Sequence, residues 1–286
     1  MWAETGALAT ALAYAWANNL ARLGLKGSNA LTGTIITVGV NFVVLWILTL
    51  LFVPWHAFRL SLVWIFIIDG LMTQALGRFL KFVSIDRLGA ARSGAIGGST
   101  PMFSIMLAVL IRGEQLTYLI FIGAVLIVGG LVLISGEVRA GPGQLKFRDI
   151  MFPLAAAFLY GLSPNMRKFG LETLAYPLLG AAVTSTTALF TLLFTSSFLG
   201  KGSFNINKRS LIYFLLAGLC TAIALPLYYY SLSVGQVVVV GPLVNISAFF
   251  SVAIAHFWMR EGEYITSRLW IGALVVVGGA AVIFLH

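Results

Sequence analysis

Gly113-Glu114-Gln115-Leu116-Thr117 is followed by Ile122-Gly123-Ala124 and then by Val128-Gly129-Gly130. Near the far end of the chain, Gly262-Glu263-Tyr264-Ile265-Thr266 is followed by Ile271-Gly272-Ala273 and Val277-Gly278-Gly279, at the same spacings. The preceding stretches correspond as well: Leu8, Tyr14, Asn19, Gly24 and Leu25 recur as Leu154, Tyr160, Asn165, Gly170 and Leu171. The chain therefore reads as a tandem duplication. Its copies are residues 1–136 and 150–286, joined by a connecting segment at 137–149. Gly141-Pro142-Gly143, at the centre of that segment, is turn-prone and marks a boundary.

Apolar residues make up 60% of the chain and charged residues 9%. A water-soluble domain carries about 25% charged residues. So few charges cannot cover a water-facing surface, and lipid is the expected solvent. About ten apolar stretches of roughly 20 residues are each long enough to cross a bilayer as a helix. They lie near 5–24, 31–53, 62–84, 90–111, 116–136, 150–170, 175–199, 210–232, 236–259 and 265–285. Unpaired backbone groups are costly in hydrocarbon, so the spans must be helical. The expected fold is an all-α integral membrane protein with ten transmembrane helices in two five-helix repeats. Five is odd, so the second copy enters the bilayer from the opposite side and the repeats are inverted.

The net charge of +9 does not form a nucleic-acid stripe. Lys and Arg cluster at span ends instead, as topology anchors do. One set of alternate connections carries Arg22, Lys26, Lys81, Arg87, Arg92, Arg139, Lys146, Arg148, Lys201, Lys208, Arg209, Arg260 and Arg268. The other set carries only Arg59, Arg112, Arg167 and Lys168. That bias puts the first set in the cytoplasm and both termini outside. The N-terminus has no basic n-region, so no secretory signal peptide is expected. Cys220 is the only cysteine, which excludes an internal disulfide and a thiolate metal cluster. No Ser/His/Asp grouping, metal-spaced His/Cys set or P-loop occurs, so no enzyme chemistry, cofactor, metal or direct use of ATP is expected.

Two five-span copies, each with a Gly-Glu-x-x-Thr corner before a Gly-rich last helix, resemble the EamA-type branch of the drug/metabolite transporter superfamily. Pro101 stands thirteen residues before Glu114, in keeping with that family's pattern. In the second copy Phe250 holds the matching position and the nearest proline is Pro242. The resemblance implies a ten-helix bundle around a cavity formed mainly by the first four helices of each repeat. It also implies a secondary transporter, an exporter or exchanger, of small organic solutes. Many relatives are drawn with both termini cytoplasmic, opposite to the orientation the charges give.

Several residues are candidates for the chemistry. Asp69 lies about two turns into the third span, where a carboxylate is expensive and usually functional. It is the candidate site for a coupling proton or a cationic group. Gln74 and Arg78 share one face of the same helix, and Arg78 could clamp a substrate carboxylate. Asp69 and Arg78 are nine apart and face opposite ways, which argues against a pair. Tyr14 and Asn19 are equivalent by repeat to Tyr160 and Asn165, and inverted symmetry would bring them to two sides of one cavity. Trp16 could add an aromatic wall, while Asn18 points about 100° away from Asn19. Tyr228 and Tyr229 follow Pro226, and at least one should face inward. Asn245 is the polar group of an otherwise apolar ninth span.

Pro101, Pro164, Pro226 and Pro242 interrupt spans four, six, eight and nine, as expected around a flexing cavity. Gly97-Gly98-Ser99-Thr100-Pro101 is the most breakable segment, and Ser99 and Thr100 are candidate ligands there. Glu114 and Glu263 are read as structural, each satisfying free N–H groups at a helix start. Gly123 with Gly130, and Gly272 with Gly279, make small-residue faces suited to close packing as scaffold or dimer contact. His256 reads as packing.

These features favour a substrate such as an amino acid or amphipathic metabolite, with the lipid bilayer as surroundings and protons as the candidate coupling ion. The expected location is the plasma (inner) membrane, as a monomer, with a dimer as the alternative. A flippase or lipid-linked carrier on the same scaffold is the second reading. An integral membrane enzyme would need clustered acids or histidines, which the sequence lacks.

Overall fold

A computed structural model describes residues 2–54, 60–77, 80–81, 83–84, 96–135, 147–198, 207–257 and 267–285. Regular structure among them is helical: α1 (Trp2–Leu25), α2 (Ala30–Phe52), α3 (Leu60–Gly70), α4 (Thr100–Arg112), α5 (Tyr118–Ser135), α6 (Phe147–Thr173), α7 (Pro177–Phe198), α8 (Lys208–Val234), α9 (Val237–Asn245), α10 (Ser247–Phe257) and α11 (Ser267–Phe284). Among the described residues, three stretches are long and apolar enough to cross a membrane: Leu31–Phe52, Pro177–Ser197 and Lys208–Val234. α6 begins at Phe147, inside the segment read as a connection.

Three of the other expected spans, the third, fourth and ninth, are less regular than the sequence suggests, for local reasons. α3 widens into a π-helical turn over Leu71–Gly77, just after Asp69. The Thr73 hydroxyl takes the Asp69 carbonyl at 2.7 Å there. Such turns are rare and often mark functional positions. α4 starts only after a turn at 98–99, so Pro101 occupies a helix start, where its missing N–H costs nothing, and does not bend a span interior. The ninth span is two helices. α9 carries Pro242 and stops at Asn245, and the Ile246 N–H turns back to Leu243 O.

Small residues let several helices approach closely, and many large apolar side chains point outward. α1 buries Ala3, Ala7, Ala11 and Ala15, one helical face four residues apart. That face lets α8 lie close, with Gly6 against Ser231 and Gly24 against Phe214. Val43, Ile47, Leu50 and Leu51 of α2, and Leu211, Leu215, Leu219 and Ile223 of α8, point outward and are exposed.

Equivalent helices of the two repeats pack antiparallel. On α5 and α11, Gly123 meets Gly279 and Gly130 meets Gly272, so close that an added Cβ would lie 2.6 Å from the facing carbonyl oxygen. These glycine faces are filled within the chain and are not available to a second copy. On α2 and α7, Thr49 donates to Leu178 O at 3.3 Å and Trp46 Nε1 to Thr186 Oγ1 at 2.7 Å, while Val38 packs on Ala188 and Leu192.

The repeats also exchange the same contact in both directions. Phe214 of the second copy fits between Gly24 and Gly33 of the first. Phe66 of the first fits between Gly170 and Gly180 of the second. Such reciprocity is what a two-fold relation produces.

Candidate functional site

A cavity of about 360 Å³ lies among α1, α2, α6, α7 and α8, toward the end where α1 finishes and α2 and α8 begin. Tyr14, Ala17, Asn18 and Ala21 of α1, Thr34, Thr37 and Asn41 of α2, Thr184 and Ser185 of α7, and Ala217 and Thr221 of α8 form its walls. Both repeats contribute. At 1.5 Å rise per residue, its walls on α1 and α2 lie roughly 6 to 17 Å from that end, about halfway along the helices. Hydroxyl and amide side chains supply about half of the lining, and Arg167 of α6 is its one charged side chain among the described residues.

Arg167 does not stand in a connection, as the charge pattern suggested. It lies inside α6, two turns before Thr173. Its Nε donates to Asp69 Oδ2 at 2.8 Å, and the Ser163 hydroxyl donates to Asp69 Oδ1. Asp69 is fully enclosed and the Arg167 side chain is 10% exposed. The Tyr228 and Tyr229 rings lie 5.6 and 5.2 Å from the guanidinium carbon. Tyr229 also shares a 2.6 Å hydrogen bond with Thr184, linking the pair to the cavity wall.

Polar ties join the helices at the opposite end. Arg112, the last residue of α4, pairs with Glu172 near the end of α6, joining the repeats. It also reaches Glu114 Oε1 at 3.3 Å. Glu114 Oε2 accepts the Val238 N–H at 3.0 Å. α9 has no capping side chain of its own, so the Glu114 carboxylate answers the N-terminal N–H groups and dipole of a helix in the other repeat. The sequence reading gave Glu114 a capping role but expected it to act on the helix that follows it. Lys168, also read as a loop residue, lies within α6 and donates to the carbonyls of Leu232 and Gly235 at the end of α8.

The other sequence candidates separate into groups. Tyr14 lines the cavity. Asn19 does not; its Nδ2 donates to Ala15 O and Ser251 O, both at 2.9 Å, while its neighbour Asn18 lines the cavity in its place. Asn165 mirrors Asn19, donating to Gly161 O at 3.3 Å and Ser104 O at 3.1 Å. These two amides fasten the first helix of each repeat to the fourth span of the other. Tyr160 and Thr100 border a separate cavity of about 160 Å³ with Lys81. Ser99 and Thr100 bond back to Ile96 O and Gly97 O, closing the turn before α4. Tyr228 and Tyr229 are buried against Arg167 and Tyr230 is exposed. Trp16 is half-buried and outside the cavity lining. Asn245 donates to Gly241 O at the end of α9, also away from the cavity. Gln74 lies in the π-helical turn, but its side chain, Arg78, Glu263 and the His256 side chain fall outside the described residues.

A larger groove of about 610 Å³ runs along the outside between α3, α4 and α6. Trp64, Ile65, Ile111, Leu162 and Phe169 line it, with Arg112 and Glu172 at one end.

Comparison with known proteins bears on the family and the fold. No protein of curated function matches the sequence. Among solved structures, one described only as a crystal structure of a protein matches with a TM-score of 0.82 at 18% identity, over 99% of this chain and 96% of that one. At that identity the likeness concerns the fold alone. The EamA-like transporter family matches over both repeats, at residues 1–136 and 148–285. The chain belongs to the EamA-like transporter family, whose members are small-molecule transporters.

Proposed function

We propose that this protein is a secondary transporter that carries a small polar organic solute across the plasma membrane by alternating access. The observation that carries the reading is a cavity lined in large part by hydroxyl and amide groups, walled by both repeats at about mid-helix, with the Arg112–Glu172 pair joining the repeats at the far end. The antiparallel packing of equivalent helices supports inverted repeats in the bilayer, and the exposed apolar faces of α2 and α8 suit lipid. Rocking of one repeat against the other would break Arg112–Glu172 and close the mouth. The direction expected from the resemblance is export.

The end where α1 finishes and α2 and α8 begin, taken as the mouth, carries Arg22, Lys26, Arg148, Lys208 and Arg209 among the described residues. By the positive-inside rule the cavity opens to the cytoplasm, with both ends of the described chain outside. The test is solute counterflow in proteoliposomes, across a panel of radiolabelled amino acids, organic acids, amines, sugars and nucleosides. Movement of none of them through correctly folded protein would sink the reading.

The lateral groove favours a second reading, a lipid or amphipath carrier. Trp64 is 50%, Phe169 54% and Ile111 65% exposed along it. Scrambling of a fluorescent phospholipid between leaflets, with no solute counterflow, would select that function.

A further inference from the structure

The polar groups left without partners around the cavity describe a ligand. Asp69 takes only Nε of Arg167, and neither Nη atom meets a protein acceptor among the described residues. Four N–H donors of a planar fork are thus free on a guanidinium that lines the cavity. Ser185 lines the same cavity, is 3% exposed, and its buried hydroxyl has no hydrogen-bond partner. Among the described residues, Asn18, on the wall, makes no hydrogen bond through its amide, and Asn41 uses only Oδ1, which accepts from Thr221 at 2.8 Å.

We infer that the Asp69–Arg167 pair is a charge-selective receptor for a carboxylate-bearing solute of zero net charge. This rests on the transporter reading above. A carboxylate matches the geometry of the two Nη groups and can take both at once. Asp69 is a positioning residue: by holding Nε, with its other oxygen held by Ser163, it turns the fork toward the cavity. The pair is neutral as a whole, and no other charged side chain among the described residues lines the cavity. A solute that brings its own positive group keeps the loaded site neutral, whereas a bare anion adds an uncompensated charge away from water. The positive group then meets oxygens of Asn18, Ser185 and the threonines, which accept hydrogen bonds without carrying charge. The volume lies at the small end of the roughly 300–1,000 Å³ range of ligand pockets, which suits a solute of that size.

The test is counterflow by the purified full chain in proteoliposomes, with three matched series of labelled probes. These are α-amino acids, their amides, and the corresponding 2-hydroxy acids, alongside sugar, amine and nucleoside controls. The expected result is transport of at least one amino acid, with its amide and its hydroxy acid each at least ten-fold slower. Arg167→Lys and Arg167→Gln should each lose at least ten-fold. Asp69→Asn, which leaves the site positive, should move the preference at least five-fold toward the hydroxy acid, a shift that loss of a merely structural contact does not produce. Because Asp69→Asn can fail to fold, Ser185→Ala and Asn18→Ala provide a second measurement, a KM raised several-fold with kcat little changed. Movement of a sugar, amine or nucleoside while every carboxylate stays behind overturns the inference and leaves transport standing. An unchanged preference in folded Asp69→Asn overturns it as well. No movement of any probe defeats both readings.

Discussion

Asp69 and Arg167 stand 98 positions apart, one in each repeat, and meet as an enclosed ion pair with Arg167 Nε 2.8 Å from Asp69 Oδ2. The pair joins α3 to α6 beside the π-helical turn. Removing one partner strands the other charge away from water, which costs about 3–5 kcal/mol, whereas removing both leaves no charge to strand. Asp69→Asn and Arg167→Gln should each lower the thermal midpoint in detergent, and the double variant should lose less than the sum. Additive losses would show that the two residues do not depend on one another.

The α5–α11 seam makes a sharper prediction about packing. At Gly123 and Gly279 a methyl group would collide with backbone, 2.6 Å from the facing carbonyl oxygen. Backbone cannot yield cheaply, so Gly123→Ala and Gly279→Ala should each destabilise by about 1–3 kcal/mol. Gly129 and Gly278 belong to the same repeated motifs but have nothing within 4 Å of an added Cβ. Alanine there should be neutral or stabilising by up to about 1 kcal/mol, through helix propensity. Midpoints of the four single variants, measured side by side, decide the matter; equal effects at both kinds of position would refute the seam.

Much of this architecture was legible because it follows from period and repetition. The Gly-Glu-x-x-Thr corners and the glycines after them located the duplicated helices, and Gly123 with Gly279 then met as small residues must. The site was less legible. Asp69 was recognisable as an expensive acid, but the one cation weighed against it was Arg78, nine residues along its own helix and on the opposite face. The signal for Arg167 lay in α6, where Ser163 and Arg167 are four apart and so share one face. A sequence shows which residues neighbour each other on one helix; it does not show which helix of the other repeat lies across. Asn18 and Asn19 illustrate the same limit, since a rotation of about 100° separates a cavity wall from a helix contact.

That adjacent pair can be separated by experiment. Asn19 holds Ser251 O at 2.9 Å and is 3% exposed. An interhelical hydrogen bond between membrane helices is worth about 0.6 kcal/mol on average. Asn19→Ala should therefore lower stability slightly and leave transport per folded molecule unchanged. Asn18→Ala should leave stability within about 0.5 kcal/mol, as substitutions away from packed features do, and should weaken transport. Reversal of these two phenotypes would place the cavity on the wrong face of α1.

Whether Asp69 carries a proton turns on the same pair. Arg167 stands between it and the cavity, and Asp69 itself is absent from the lining. If Asp69 serves only to aim Arg167, counterflow should show the same affinity across pH 5.5–7.5. An affinity that rises steadily with acidity in the wild type and is flat in Asp69→Asn would assign proton coupling to this carboxylate.

The closed end should act as a gate of low strength. Glu172 is 51% exposed in its pair with Arg112, and exposed pairs are worth about 1 kcal/mol at most. Breaking such a tie shifts a two-state equilibrium by about five-fold at most, since 1.4 kcal/mol corresponds to ten-fold. In a Cys220→Ala background, Thr37→Cys and Asn41→Cys should react with a membrane-impermeant maleimide only from the side bearing the basic residues. Adding Glu172→Gln should raise labelling from the other side by up to about five-fold, while the thermal midpoint moves little. Equal labelling from both sides in the parent would mean that the ion pairs do not seal the cavity. An unchanged rate after both Glu172→Gln and Glu114→Gln would move the gate elsewhere, to the buried packing of Tyr228 and Tyr229 around Arg167.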